Sequence, residues 1–308
     1  MQSWKKLGLI FSADKKSEWM HSHASLPIVV NADERIITVL FSTRDKHQVS
    51  SVSSLQFDIK SLQIQFISDK PLLTKGKLGC FDDSGVMASC VLSEKDNIFL
   101  YYIGWNLGGT VPFRNSIGLA NSTDGGKTFN RLYEGPLLDR TRDEPYFVAS
   151  NCVIVDNNIY KMWYLSCTEW FLDCTGKPMH KYHIKYAESS DGINWNRKGK
   201  VAIDYNDIYE YAISVPRVIR DKNKYRMWFS SRASKHASTY RIRYAESIDG
   251  ISWSRDNDEI ALDVSNYGWD SEMVCYPYVF DHQGKRYMLY NGNSYGKTGF
   301  GLAILENE

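Results

Sequence analysis

The chain has 308 residues, 43% of them hydrophobic, and its 37 basic and 36 acidic residues leave a formal net charge of +1. This size and apolar content are enough for a large core, and they exclude an intrinsically disordered chain. Without blocks of like charge the sequence lacks the surfaces typical of nucleic-acid and membrane binders, so we expect neither nucleic acid as a partner nor membrane insertion.

The six cysteines are irregularly spaced and form no CxxC motif. This spacing favours reduced thiols over disulfides or a zinc site, and it predicts a cytoplasmic protein. Met1 to Phe11 do not read as a signal peptide, and no apolar stretch approaches the length of a membrane span. No feature predicts the oligomeric state.

A strand-like segment at residues 5–12 opens the chain, and three short runs then recur in a fixed order. They are an apolar run, an aromatic-rich run and an alternating run, each typical of a β-strand. In chain order the runs occupy residues 26–29, 40–41 and 52–55, then 88–91, 101–102 and 117–120, then 150–153, 163–164 and 184–187, then 215–218, 228–229 and 242–245, and finally 276–279, 289–290 and 300–303.

The repeat spacing is nearly constant. The same place in successive units is held by Pro27, Ala88, Asn151, Pro216 and Pro277, at steps of 61, 63, 65 and 61 residues. Asp-Gly pairs after the third run of the middle units predict tight hairpins that lead to a fourth strand. Residues 122–129 resemble the Asp-box of sialidases, a structural hairpin.

Four antiparallel strands per unit, repeated radially, describe a propeller blade. We therefore predict an all-β fold, a five-bladed β-propeller in which residues 1–308 form a single domain. The N-terminal strand is expected to complete the last blade, because the fifth unit ends after its third strand. A β-sandwich or two smaller β domains are the alternatives, and neither requires one motif five times.

Residues just before each first strand should converge on one mouth of such a propeller. In the first unit these are His21 and His23, and in the later units they are mostly acids. The acids are Asp82, Asp83, Glu144, Glu210, Asp270 and Glu272. Glycoside cleavage needs two carboxyl groups across the scissile bond.

From this ring we predict Asp83, Glu144, Glu210 and Glu272 as catalytic residues. His23 and Asp82 are predicted to bind substrate. The alternative is that each acid caps a turn or pairs with a neighbouring arginine, as Arg142 could for Glu144.

The loops between second and third strands, on the same face, carry residue types that bind sugars. Aromatic rings stack on pyranoses, while amides and arginines bond the hydroxyls. The predicted substrate-binding residues are Trp105, Arg114, Trp170, Arg217, Arg232, Tyr276 and Asn291, with His180, His236 and Tyr295 of similar character. The alternative is that the tryptophans pack between blades. Arg217, on an inner strand, is expected to find a ring acid or an anionic group of the substrate.

The five-unit layout and the Ser-x-Asp-Gly-x-x-Trp turns resemble the five-bladed β-propeller glycosidase superfamily of arabinanases, β-xylosidases, invertases and mannoside phosphorylases. Residues 268–278, 287–293 and 297–302 resemble more closely bacterial glycosidase-like proteins associated with surface-polysaccharide synthesis. The resemblance covers essentially the full chain. It implies rim acids in the first three blades, which Asp83 and Glu144 match in blades two and three.

The chain departs from that pattern in blade one, where His21 and His23 replace the expected aspartate. Two imidazoles on one face of a strand could ligate a metal. A lone pair is not a site, and we expect neither a metal nor a cofactor.

The sequence thus predicts a carbohydrate-active enzyme, a glycoside hydrolase or a related glycosyl-transferring enzyme, with a carbohydrate or activated sugar as partner. The alternative is a non-catalytic propeller that binds a glycan or nucleotide sugar in surface-polysaccharide synthesis. A propeller that only binds other proteins is a third interpretation.

Overall fold

The computed structural model describes residues 2–232, 237–255 and 259–307, so His236 lies outside the described residues. The described part is almost entirely β-structure. The strands before and within the first two repeat units are β1 (Ser3–Phe11), β2 (Ser22–Ala32), β3 (Ile36–Arg44), β4 (Ser50–Asp58), β5 (Ile64–Ile67), β6 (Gly85–Glu94), β7 (Asn97–Leu107), β8 (Phe113–Ser122) and β9 (Asn130–Arg131).

The later units have the same order of strands. They are β10 (Val148–Asp156), β11 (Ile159–Leu172), β12 (Pro178–Ser189), β13 (Val201–Ile203), β14 (Ala212–Arg220), β15 (Tyr225–Arg232), β16 (Arg241–Ser247), β17 (Cys275–His282), β18 (Lys285–Asn291) and β19 (Phe300–Asn307), with a single helical turn, α1 (Asn293–Gly296), before β19. Within each unit, consecutive strands pair antiparallel.

The hairpin between the third and fourth strands of a unit is fixed by the Ser-x-Asp-Gly motif. In the third unit the Gly192 amide donates to Ser189 Oγ over 3.0 Å. Asp191 Oδ1 accepts hydrogen bonds from the amides of Ile193 and Asn194. Trp195 Nε1 then donates to the Gly192 carbonyl over 3.1 Å. This bond places the tryptophan ring against Tyr101 of the preceding unit, at 6.3 Å between centroids. The motif therefore shapes the turn and also joins neighbouring units.

A closed series of hydrogen bonds links the first strand of each unit to the first or second strand of the unit before it. In each link a backbone amide of one unit donates to a side chain of another, over 2.7 to 3.0 Å. The links run from Ala88 to Ser42, from Asn151 to Ser89, from Val215 to Ser150, from Tyr276 to Ser230, and from Leu26 to Asn291. Because the last link joins the final unit to the first, the strand groups form a ring.

The N-terminal strand pairs with the last unit, as predicted. β1 runs antiparallel to β19, so the final sheet has the order β1-β19-β18-β17. Phe11 is buried between Phe41 of the first unit and Phe300 of the last, with ring centroids 5.1 Å and 6.3 Å away. Lys6 Nζ also contacts Asp270 Oδ2 over 2.7 Å. β1 is thus fastened to both ends of the repeat series.

Three inner strands bulge at the same place. Leu26, Val215 and Tyr276 have φ between 50° and 58°, and the pairing register shifts beside each of them. A left-handed backbone is costly for a non-glycine residue, above all for a β-branched one, and such residues cluster at functional sites. The bulges interrupt the ladder near the centre of the ring. All three residues border the cavity described below.

In the described ranges, no helix has the length and apolar character that a membrane crossing demands.

Candidate functional site

A cavity of about 300 Å³ lies among the inner strands. One wall is aromatic and belongs to the second and third units. The Trp105 and Phe113 rings are 4.8 Å apart between centroids, and Phe113 contacts both Phe147 and His180 at 5.5 Å. These rings lie at the ends of β7 and β8, at the start of β10 and on β12, where their strands approach the centre. The wall offers flat apolar faces to a ligand.

Arg232, at the end of β15, also borders the cavity and is surrounded by tyrosines. Its guanidinium carbon lies 5.2 Å from the ring centroids of both Tyr211 and Tyr240, and its Nη1 donates to Tyr295 Oη over 2.8 Å. Burial lowers the pKa of Arg232, but the tyrosine hydroxyls around it together raise this pKa above its usual range. The guanidinium is therefore charged and held by aromatic faces.

Arg44, the last residue of β3, also borders the cavity. Burial lowers the pKa of its guanidinium, and Tyr276 raises it in part. Tyr276 stacks on Tyr295 at 6.5 Å between centroids, and Tyr295 accepts the bond from Arg232.

Several buried polar atoms of the lining have no hydrogen-bond partner among the residues that the structure describes. They are Trp105 Nε1, Asn115 Oδ1, His180 Nδ1, Ser214 Oγ and Arg232 Nε. Burial lowers the pKa of His180 to about 4, so its imidazole is neutral at neutral pH. Buried polar groups are normally satisfied, and an exception calls for an explanation such as a ligand or ion. The lining thus combines apolar faces with unused donors and acceptors.

The acids that precede the first strands do not border this cavity. Glu144 is buried and accepts bonds from Tyr164 and Ser166 over 3.0 Å, while Arg197 and Lys185 neutralise it. Burial raises the pKa of Glu144, but Arg197 and Lys185 together lower it by more, so the pKa of this carboxyl is below its usual value. Glu144 is therefore an ionised carboxylate in a closed network.

Other units repeat this arrangement of acid, cation and hydroxyl. A basic residue of the outer strand region reaches inward to the acid of its own unit, and a hydroxyl of the second strand completes the site. The sets are Asp82 with Arg131 and Tyr102, Glu210 with Arg255 and Ser231, and Asp270 with Lys6 and Tyr290. Arg142, the neighbour that we considered for Glu144, contacts Asp143 instead.

Asp83 and Glu272 lie outside these networks. Asp83 is half-buried and accepts bonds from the Gly79 amide, Ser84 Oγ and Asn106 Nδ2 over 2.8 to 3.0 Å. Glu272 has an exposed side chain. The expected meeting of the four acids at one pocket is thus not observed, because Glu144 and Glu210 turn toward cations of their own units. Their catalytic role stays a prediction.

The predicted substrate-binding residues divide into two groups. Trp105, Arg232 and Tyr276 border the cavity, and Trp170 packs behind it, 4.7 Å from the His180 ring. The others lie elsewhere. Asn291 bonds Leu26 N, Ala24 O and Gly299 O, and Arg217 lies over Tyr278 and donates to Val279 O.

His23 and Arg114 complete the predicted set. His23 is buried beside Ser22, and burial lowers its pKa to about 4. Arg114 is half-buried on β8, paired in register with Asn106. Neither residue borders the cavity. Among the described residues, no group of three or more His, Cys, Asp or Glu side chains is placed to hold a metal ion.

Sequence reasoning missed Arg44, Phe113, Tyr182 and Tyr240. A signal for Arg44 exists, because it lies four residues after the start of the aromatic pair of its unit, as Trp105 and Arg232 do. The repeat alone could therefore have aligned these three positions at one depth in the ring.

Solved structures with the same architecture are glycoside hydrolases. One glycoside hydrolase has a TM-score of 0.74 at 16% identity, over 97% of this chain and 90% of that protein. A thermostable family-43 glycoside hydrolase has a TM-score of 0.68 at 15% identity, over 94% and 90%. A Bombyx mori family-32 β-fructofuranosidase has a TM-score of 0.62 at 17% identity, over 95% and 64%. The chain therefore has the fold of the propeller-type glycoside hydrolases.

Sequence comparison shows the nearer kinship. The chain is 40% identical over 306 residues to the uncharacterized protein Rv1502 of Mycobacterium tuberculosis strain H37Rv. The aligned region covers 99% of this chain and 100% of the relative. Protein MT1551 of strain CDC 1551 matches to the same extent. The chain therefore belongs to the family of these mycobacterial proteins. No family model matches it.

Proposed function

We propose that the protein binds a carbohydrate in the central cavity. One observation carries the proposal: Trp105, His180 and Arg232 each have a buried polar atom without a partner in the described residues, in a lining that also holds several aromatic rings. A sugar has apolar faces for the rings and hydroxyls for these atoms. The glycoside-hydrolase fold supports the same class of ligand.

Binding without hydrolysis is the interpretation that the geometry favours. Hydrolysis needs two carboxyl groups that flank the scissile bond, about 5–9.5 Å apart. Glu144 and Glu210 are neutralised by Arg197 and Arg255, and no carboxylate is among the described residues that border the cavity. A ligand there would meet cations, phenols and an imidazole instead.

A glycosyl-transferring enzyme is the second candidate, supported by the shared fold. In that case Asp83 would be its best-placed acid, since its carboxylate is half-exposed and its hydrogen-bond donors are neutral. Glu144, Glu210 and Glu272 would need a different arrangement to reach a substrate.

Several finer features belong to the same proposal. The ring of hydrogen bonds and the spacing of the repeats support five blades in a single domain over residues 1–308. A role in surface-polysaccharide synthesis and a location in the cytoplasm fit the resemblance and the reduced cysteines.

Titration calorimetry against a panel of monosaccharides, oligosaccharides and nucleotide sugars tests the binding. We expect a ligand whose affinity falls at least about tenfold in Trp105→Ala, since losing an aromatic stack costs over about 1 kcal/mol. Leu107→Ala, an exposed residue two positions further along β7, is the matched control and should bind like the wild type. Absence of binding to every sugar would refute the proposal.

Aryl glycosides of the same sugars separate binding from catalysis. A binding protein releases no aryl group, whereas an enzyme that uses Asp83 does so and loses turnover in Asp83→Asn. Turnover that survives in Asp83→Asn would instead exclude this acid.

A further inference from the structure

We infer that the ligand carries an anionic group, a carboxylate or a phosphate on the sugar, which binds at Arg232 and Arg44. This inference rests on the proposed carbohydrate binding and specifies its chemical class. Both arginines border the cavity, and neither has a carboxylate partner among the residues that the structure describes.

The surroundings of Arg232 leave its positive charge unbalanced. Its contacts are to phenol rings and to a phenol oxygen, all of them neutral. Tyr240 stays protonated, because burial raises its pKa well above the usual value. The Nε–H of Arg232 is buried without a partner in the described residues, and such a donor is costly unless a ligand accepts from it.

Arg44 contributes a second unbalanced charge. Its contact is with the amide of Gln48, 3.5 Å from Nη1. Around it are the neutral phenol of Tyr276 and the imidazole of His23, whose pKa Arg44 and Lys297 help to lower. Among the described residues that border the cavity, none is an acid. A guanidinium taken out of water without a counter-charge is costly, and an anionic ligand removes that cost.

Several partly buried arginines elsewhere in the ring have a carboxylate within contact distance: Arg131 has Asp82, Arg197 has Glu144, and Arg255 has Glu210. Arg217, which has none among the described residues, donates instead to the Val279 carbonyl and lies over Tyr278. The chain therefore supplies counter-charges at several depths of the ring but none among the described residues at Arg44 and Arg232. A planar guanidinium with free N–H groups is the side chain suited to carboxylate or phosphate oxygens.

The size and shape of the cavity limit the rest of the ligand. About 300 Å³ is the lower end of the range for small-ligand sites, about 300–1,000 Å³. This space accommodates a single sugar residue. We place its anionic group at the arginines and its ring against Trp105 and Phe113, which border the same cavity.

Calorimetry with matched probes tests the charge. The probes are glucose, glucuronic acid and glucose 1-phosphate, with the corresponding galactose series, each at constant ionic strength. We expect the anionic members to bind at least tenfold more tightly than the neutral sugar. Arg232→Gln and Arg44→Gln should each lower the preference for the anionic sugar at least tenfold. Arg140→Gln, a change at an exposed arginine outside the cavity lining, should keep it.

Each outcome decides between the ideas. A preference for the acids alone supports a sugar carboxylate, and one for the phosphates alone supports a sugar phosphate. Equal binding of neutral and anionic sugars, with Trp105→Ala still impairing it, would overturn the anionic inference and leave carbohydrate binding intact. Failure of every probe to bind would overturn both. Circular dichroism of each variant verifies that it is folded.

Discussion

Glu144 shows how the surroundings of a residue decide its role. A carboxylate at this position could act as an acid only if its pKa rose, whereas Arg197 and Lys185 depress it. Two cations, a phenol and a hydroxyl surround it. The Glu144 carboxylate therefore has a structural role, as the counter-charge of two cations in its own unit.

Glu144→Gln should destabilise the protein by about 3–5 kcal/mol, because two buried cations lose their counter-charge. Urea unfolding at pH 7 measures the change. Asp83→Asn is the control and should cost only about 1 kcal/mol, since its carboxylate bonds neutral donors. Unchanged stability in Glu144→Gln would contradict the structural role.

His180 gives the site a dependence on pH. Burial lowers its pKa to about 4 in the folded protein, against about 6.5 in the unfolded chain. Between these values only the unfolded state binds the proton, so stability is full above pH 6.5 and falls as the pH drops toward 4.

His180→Gln should remove part of that fall, about 2–3 kcal/mol between pH 6.5 and 4. Free energies of unfolding at several pH values, for wild type and variant, measure it. His47→Gln, a change at an exposed histidine, is the control. Parallel curves for wild type and His180→Gln would show that the imidazole is not buried in its neutral form.

At the scale of the element, the hairpin turns use glycine for two different reasons. Gly125 and Gly192 both have positive φ, 76° and 72°. A side chain at Gly125 would meet open space, whereas a Cβ at Gly192 would lie 3.0 Å from the Tyr160 ring and 3.1 Å from Tyr101 Oη. The first glycine serves the backbone alone, and the second also serves the packing of neighbouring units.

Alanine at both positions separates these contributions. Gly125→Ala should cost about 1–2 kcal/mol, the strain of a left-handed alanine. Gly192→Ala should cost more, since the tyrosines must also move. Thermal unfolding of the two variants measures their losses of stability. Equal losses would show that Tyr160 and Tyr101 move away from the added methyl group without cost.

The elements were predictable from the sequence because each unit repeats the same strands and turns. The pairing of β1 with β19 followed from an incomplete last unit. The acids were harder, since their partners lie 45 to 53 residues further along the chain, as Arg255, Arg131 and Arg197 do. The tyrosines of the cavity were missed because, in sequence, a buried tyrosine at a strand end looks like any core residue.

At the scale of the whole molecule, stability depends on the closure of the ring. Lys6 of β1 reaches Asp270, whose side chain is 3% exposed, while Lys5 contacts Glu306 on the surface, with side chains 62% and 47% exposed. The two adjacent lysines thus have opposite surroundings.

Lys6→Ala should destabilise the protein by about 3 kcal/mol, because it leaves a buried carboxylate unpaired. Lys5→Ala should change stability by less than about 1 kcal/mol. Chemical denaturation measures both changes in stability. Equal effects would show that the ion pair of Lys6 with Asp270 does not stabilise the closed ring.

The pairing of β1 with β19 also sets an order of events during synthesis. Residues 3–11 leave the ribosome long before the strand that they pair with, which is made almost 300 residues later. Until then the nascent chain carries an unpaired apolar strand, open to chaperones or to a neighbouring copy. Folding of the final sheet must therefore wait until translation has passed residue 307.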